Sequence, residues 1–248
     1  MTGKEEVSRH KRFPAIAAIF VTSLIVSNII AVKLIAIGPF LLSAAVIIFP
    51  VSYIFGDVLT EVYGYARARQ VIWIGFLCNL LAVLIIWVSI QLPPDPFWTA
   101  GSFKTPQSFQ EAYQAIFGFT PRLLAASFAA YLFGEFLNSF ILAKMKIATR
   151  GRHLWLRTIS STLVGQLADS GIFIFLAFYG AIPPSALGRL ILAQWLVKSA
   201  YEALATPLTY MLVNYLKRVE NEDYYDRRTN FNPLVLREGV KRGRDLGY

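Results

Sequence analysis

Six stretches of this chain are apolar for about twenty residues or more, and most of the charge lies between them. A bilayer crossing needs roughly 20 apolar residues in a helix. With 56% hydrophobic and 16% charged residues, the chain reads as an all-α integral membrane protein. The expected spans are 13–37, 40–63, 70–92, 121–145, 156–179 and 186–216. A polar tail precedes them (1–12), a loop of 93–120 interrupts them, and a charged tail (217–248) follows. Gly38-Pro39 reads as the tight turn between the first two spans. The first apolar run is too long for a signal peptide and is read as a retained helix.

The formal net charge of +9 does not point to nucleic acid, because the basic residues flank apolar spans rather than covering a soluble face. Nineteen of the 24 Lys and Arg residues fall in the two tails, the 2–3 turn (Arg67, Arg69) and the 4–5 region (Lys144 to Arg157). Lys104, Arg122 and Arg189 stand on the other side. This asymmetry predicts six spans with both termini cytoplasmic. The single cysteine, Cys78, lies within a span, and His10 and His153 lie outside the spans. No disulfide framework, metal site or cofactor is expected.

Charge inside the spans is where function is sought, since an ionisable group at membrane depth is costly. Span 2 carries Tyr53, Asp57, Thr60, Glu61 and Gly64 on one helical face. Span 4 carries Tyr131, Glu135 and Asn138; span 5, Thr162, Gln166, Asp169 and Phe173; span 6, Gln194, Lys198, Tyr201 and Glu202. Spans 1 and 3 add Asn28 and Asn79. Five carboxylates face two cations, Lys33 and Lys198. Protonation, arginines reaching in, or a cationic or donor-rich ligand would each resolve the excess.

Polar faces at a common depth predict one shared cavity. The candidate binding residues are Tyr53, Asp57, Glu61, Asn79, Glu135, Asn138, Gln166, Asp169, Lys198 and Glu202. Local pairings compete with that reading. Lys198 and Glu202 stand at i, i+4 and can neutralise each other. Glu61 is within reach of Arg67 or Arg69, and the asparagines can serve as interhelical hydrogen-bond glue. In the external loop, Phe109, Tyr113, Ile116 and Phe117 recur at helical spacing, which predicts a short surface helix.

Phe49-Pro50, Tyr53, Gly56-Asp57 and Thr60-Glu61-Val62-Tyr63-Gly64 with Arg67 or Arg69 resemble the signature of the queuosine precursor transporter family, in the vitamin uptake transporter group. Gly134-Glu135-Phe136 with Asn138-Ser139, Lys144, Lys146, Arg157, Ser160-Ser161-Thr162, Gly165-Gln166, Asp169-Ser170, Lys198 and Tyr201-Glu202 continue it. Tyr225-Asp226 and Thr229-Asn230-Phe231-Asn232-Pro233 resemble its ending. The basic N-terminus and the residues after Pro233 depart from the pattern.

The resemblance implies an inner-membrane importer of 7-cyano-7-deazaguanine and 7-aminomethyl-7-deazaguanine, for salvage into tRNA queuosine. It also implies a fold related to the substrate-binding subunits of energy-coupling-factor transporters, acting without their ATPase. Such a ligand presents adjacent ring N–H and amino donors that one carboxylate can accept together. Gln166 or an asparagine would then serve its carbonyl. The lipid bilayer is the other expected partner, and a homodimer is the oligomer allowed for. Importers or binding subunits for another vitamin-like heterocycle are the alternative, ahead of an intramembrane aspartyl enzyme using Asp57 and Asp169. Glu61 and Asp169 are the expected proton carriers if import is proton-coupled.

Overall fold

The computed structural model describes residues 11–37, 40–118, 121–181 and 183–235. Seven α-helices dominate it: α1 (Phe13–Ile30), α2 (Phe49–Tyr63), α3 (Tyr65–Gln91), α4 (Pro106–Phe117), α5 (Pro121–Ala148), α6 (Leu154–Phe178) and α7 (Pro184–Glu220). A two-stranded hairpin, β1 (Leu34–Ile37) and β2 (Phe40–Ser43), stands between α1 and α2. The Gly38-Pro39 turn lies outside the described residues, as do most of the two tails.

The hairpin corrects two expected spans. The first helix ends at Ile30, so Lys33 lies beyond it and is exposed. The second helix begins at Phe49 rather than residue 40. A short continuous apolar run reads alike as buried helix or strand, and here the strands pair antiparallel from Leu34 opposite Ser43 to Ile37 opposite Phe40. A short 3-10 turn, Ala44–Ile47, joins β2 to α2, and Ser43 Oγ caps it through the Ala45 N–H.

Length and apolarity alone mark four stretches as able to cross a membrane: Phe13–Ile30, Tyr65–Gln91, Pro106–Ala148 and Leu154–Phe178. α2 has 15 residues, about 22 Å at 1.5 Å per residue, against a hydrocarbon core of roughly 30 Å. α7 is long enough but carries Arg189, Lys198 and Glu202 along its first half. The large apolar side chains that remain exposed, such as Leu81, Ile85 and Trp87 on α3 and Leu167 and Phe175 on α6, give the bundle a lipid-compatible surface. α4 is the expected amphipathic surface helix, opened by a reciprocal Thr105–Ser108 capping box.

The two ends of the bundle differ. At the end marked by Gly64, Ile16, Phe20, Ile54, Val58, Val62, Val71, Val213 and Leu216 close into a dry apolar cluster. At the hairpin end the helices part around a cavity.

α5 and α6 make the tightest crossing. A Cβ added to Gly165 would lie 2.8 Å from Asn138 Cβ, and one added to Gly134 would lie 2.8 Å from Asp169 Cβ. Two glycines opposite each other let the backbones approach, as small residues do between membrane helices. That approach sets Glu135 and Asn138 of α5 beside Gln166 and Asp169 of α6.

Candidate functional site

The cavity encloses about 610 Å³ and is walled by α1, α2, α5, α6 and α7, with Ser43 and Ala45 beyond α1. Irregular backbone at membrane depth is tolerated where it lines a cavity, and the hairpin segment does this. Of the ten candidate residues, seven line this space: Tyr53, Glu135, Asn138, Gln166, Asp169, Lys198 and Glu202. Asp57 stands one layer behind, buried, and accepts a hydrogen bond from Asn138 Nδ2 at 2.9 Å. Glu61 and Asn79 are buried elsewhere and do not touch the cavity. Ser27 and Ser52 line it and were not singled out; Ser27 adjoins Asn28 and Ser52 adjoins Tyr53, the only signal available.

The walls hold polar atoms that the protein does not satisfy. Glu135 Oε2, Asn138 Oδ1, Gln166 Oε1, Thr162 Oγ1 and Ser52 Oγ are buried without a hydrogen-bond partner among the described residues. Buried polar atoms are nearly always partnered, and leaving one unpaired costs about 1–3 kcal/mol. Three of these atoms are carbonyl or carboxylate oxygens, packed within the wall, and Glu135 Oε2 lies near Gly56 and Phe20. The Gln166 side chain stands beside the Tyr53 hydroxyl, and its Oε1 has no hydrogen-bond partner among the described residues. The Asn138 amide nitrogen is taken by Asp57, and its Oδ1 is left over.

Charge pairing also differs from the local pairings that the sequence offers. Lys198 bonds Asp169 across the α6–α7 contact at 2.5 Å, rather than Glu202 one turn along its own helix. Glu61 does not use Arg67 or Arg69. Arg157 of α6 grips it with both ends of its fork, Nε to Oε2 at 2.8 Å and an Nη to Oε1 at 2.7 Å. Lys217 lies 2.6 Å and Lys146 3.6 Å from its Oε1. Arg69 is instead fully buried against the Asn230 and Asn232 carbonyls, at 2.6 and 2.9 Å. Arg67 lies over the Phe13 ring. The sites reached by cations are thus Glu61 and Asp169, which leaves Asp57, Glu135 and Glu202 without an ion pair among the described residues.

The Glu61 cluster is roofed by the chain after α7. Lys146 and Lys217 both bond Asp223 Oδ1, at 2.6 and 2.8 Å. Burial pushes the Asp223 carboxyl up, but the two ammonium groups outweigh it and hold its pKa below the usual 3.8. Tyr224 N–H donates to Val62 O and its ring lies against Gly64, while the Tyr225 hydroxyl lies against Gly151. Asp226 accepts from the Tyr65 N–H with both oxygens at 3.1 Å. Residues 221–235 therefore form a strap across the α2–α3 and α5–α6 turns.

The profile of the family described as "Putative vitamin uptake transporter" matches residues 43–212, which includes every wall of the cavity apart from α1. The chain belongs to this family. Among curated members of related sequence, it is 34% identical over 155 residues to the "Probable queuosine precursor transporter" of Bacillus subtilis, 62% of this chain and 64% of that one. It is 28% identical to the "Queuosine precursor transporter" of Escherichia coli, over 53% of this chain and 52% of that one. The Haemophilus influenzae "Probable queuosine precursor transporter" is 24% identical over 55% and 52%. The chain thus spans about half to two thirds of the length of the curated relatives it matches. No solved structure matches it. As a member of a vitamin uptake transporter family, it is a multi-pass membrane protein rather than an enzyme.

Proposed function

We propose that this chain is an importer of queuosine precursors in the bacterial inner membrane, with 7-cyano-7-deazaguanine and 7-aminomethyl-7-deazaguanine as substrates for salvage into tRNA queuosine. The observation that carries the reading is the cavity lined by the acceptor-bearing side chains of Glu135, Asn138, Gln166, Asp169 and Glu202. A 7-deazaguanine edge offers N–H donors from the ring and from the 2-amino group. One carboxylate accepts two of them in a forked pair, and an amide oxygen accepts a third. The volume of about 610 Å³ falls in the roughly 300–1,000 Å³ range of small-molecule sites. Tyr53, Tyr131 and Phe173 supply aromatic walls for a flat ring. The aminomethyl ammonium would add a cation beside Glu135 and Glu202, which have no ion pair among the described residues, while Lys198 is paired with Asp169. The neutral cyano form relies on the acceptors alone.

Six membrane crossings with both termini in the cytoplasm fit the charge distribution. The 2–3 turn, the 4–5 loop and the strap meet at the Gly64 end, where Arg67, Arg69, Lys144, Lys146, Arg152, Arg157 and Lys217 collect. Basic residues mark the cytoplasmic side, so the cavity lies toward the outside under the hairpin.

The test is salvage in a bacterium unable to make the precursor, scored as queuosine in tRNA. Wild type restores it on external precursor. Glu135→Ala, Gln166→Ala and Asp169→Ala are each expected to abolish it at normal expression. Unchanged salvage in all three would overturn the site.

A further inference from the structure

The cavity stops short of the Gly64 end. Its last lining residues toward that end are Tyr53 on α2, Asn138 on α5, Thr162 on α6 and Glu202 on α7. More than a turn beyond them the four helices meet at a single carboxylate. Glu61 of α2 is held by Arg157 of α6, by Lys217 of α7 and, at 3.6 Å, by Lys146 of α5. A solute leaving the cavity toward this end has to part these four helices.

Three cations around one carboxylate repel each other, and the repulsion is strong where water is excluded. The strap supplies the opposing charge. Asp223 Oδ1 lies 2.6 Å from Lys146 Nζ and 2.8 Å from Lys217 Nζ, so the cluster sets two carboxylates against three cations. The Asp223 side chain is 44% exposed and that of Lys217 20%, against 1% or less for Glu61, Lys146 and Arg157. The group that balances the cluster is thus the one closest to water. Further along, the strap is fastened to α3: Asp226 accepts from the Tyr65 N–H, the Asn230 carbonyl from Arg69 and the Pro233 carbonyl from Trp73. Asp223 can let go without the strap leaving the protein.

We propose that the Glu61 cluster is the inner gate of the import path and that Asp223 is its latch. The inference rests on the import reading above. With Asp223 in place the helix ends are drawn together around the dry apolar cluster. With Asp223 withdrawn, three cations share Glu61. Arg157 keeps its forked pair, and Lys217, the most exposed of the three, turns to solvent and takes the end of α7 away from α2.

The other role for Asp223 is a fastener that holds the strap on a bundle closed by other means. Thiol accessibility separates the two. Purified full-length protein with Cys78→Ser carries one reporter at a time on α6. Ser161→Cys stands between Arg157 and the cavity-lining Gly165, Ser170→Cys stands in the hairpin half of the same helix, and both positions are fully buried. The probe is a charged methanethiosulfonate, and the rate of labelling is read well below the melting temperature. Adding Asp223→Ala is expected to speed labelling of Ser161→Cys about tenfold, as a local opening does, and that of Ser170→Cys by less than about twofold. Asp223→Glu, which keeps the charge, is expected to restore protection.

Unchanged labelling of Ser161→Cys in Asp223→Ala, or an equal rise at both positions, overturns the gate. If Ser161→Cys does not fold, amide hydrogen exchange in Asp223→Ala decides: faster exchange confined to 154–165 supports the latch, and exchange that is unchanged or rises all along α6 overturns it. The labelling needs no ligand. Absence of salvage by wild type would therefore overturn the substrate reading, while labelling judges the gate on its own.

Discussion

The protein buries charge in two places and treats it oppositely. Around Glu61 every carboxylate oxygen is held, by Arg157, Lys217 and the nearby Lys146, and the group is roofed by the strap. Around Glu135, some turns along the bundle toward the hairpin, oxygens are left without partners among the described residues. The first arrangement is what a chain does to make a buried charge stable, since a buried ion is tolerated only when paired and hydrogen-bonded. The second costs stability, and such a cost at a cavity wall is expected where a ligand completes the bonds. On the proposed function, the contrast separates residues that hold the fold from residues that would hold the guest, although all are acidic residues on the bundle helices.

The largest effect should come from breaking the saturated end. Glu61→Leu strands Arg157, 1% exposed and without another ion pair among the described residues, and should cost about 3–5 kcal/mol. The check is thermal unfolding in detergent, where a melting temperature within a degree or two of wild type would contradict the assignment. Next comes Gly64→Ala. Gly64 has φ +85° and ψ 163°, a region essentially closed to other residues, with strain of roughly 1–3 kcal/mol. A Cβ there would also strike the Tyr224 ring, so the strap should lift and become sensitive to protease while the cavity mutants stay protected.

The unsaturated end should respond in the reverse sense. Gln166→Leu removes a buried oxygen that has no partner together with the amide beside the Tyr53 hydroxyl, so stability should change by no more than about 1 kcal/mol, while ligand affinity falls at least tenfold. Loss of both together would dissolve the contrast. The smallest effect is electrostatic. Asp223 has a folded-state pKa below its ordinary 3.8 because Lys146 and Lys217 bond it against the opposing effect of burial. A depressed folded pKa contributes stability above the ordinary value and loses it as pH falls through the lower one. Protection of the strap should therefore persist to about pH 4 and fade below it in wild type, and Asp223→Asn should flatten that acid limb.

Much of this division was legible in the sequence. Helical spacing alone put Glu135 with Asn138 and Gln166 with Asp169, because i, i+3 faces survive any packing. What spacing could not supply was partners between helices. Arg157 and Lys217 lie 96 and 156 residues from Glu61, so the nearby Arg67 and Arg69 looked like its partners, and Glu202 looked like that of Lys198. The hairpin was hidden because 34–37 and 40–42 are short, wholly apolar runs that carry no period to separate strand from helix. The strap was read as a charged tail, although Tyr224, Tyr225, Phe231 and Pro233 among its charges were a signal of packing. The direction in which each amide faces is invisible in any sequence, since it depends on what sits behind it.

The central claim is that the cavity lined by Glu135, Asn138 and Gln166 is the ligand site. Calorimetric binding of 7-cyano-7-deazaguanine to purified wild type and to Gln166→Leu tests it most directly, because the neutral ligand excludes simple charge attraction. Saturable binding by wild type, weakened at least tenfold in a Gln166→Leu protein that still folds and melts cooperatively, is the predicted result. Equal binding by both proteins would contradict it.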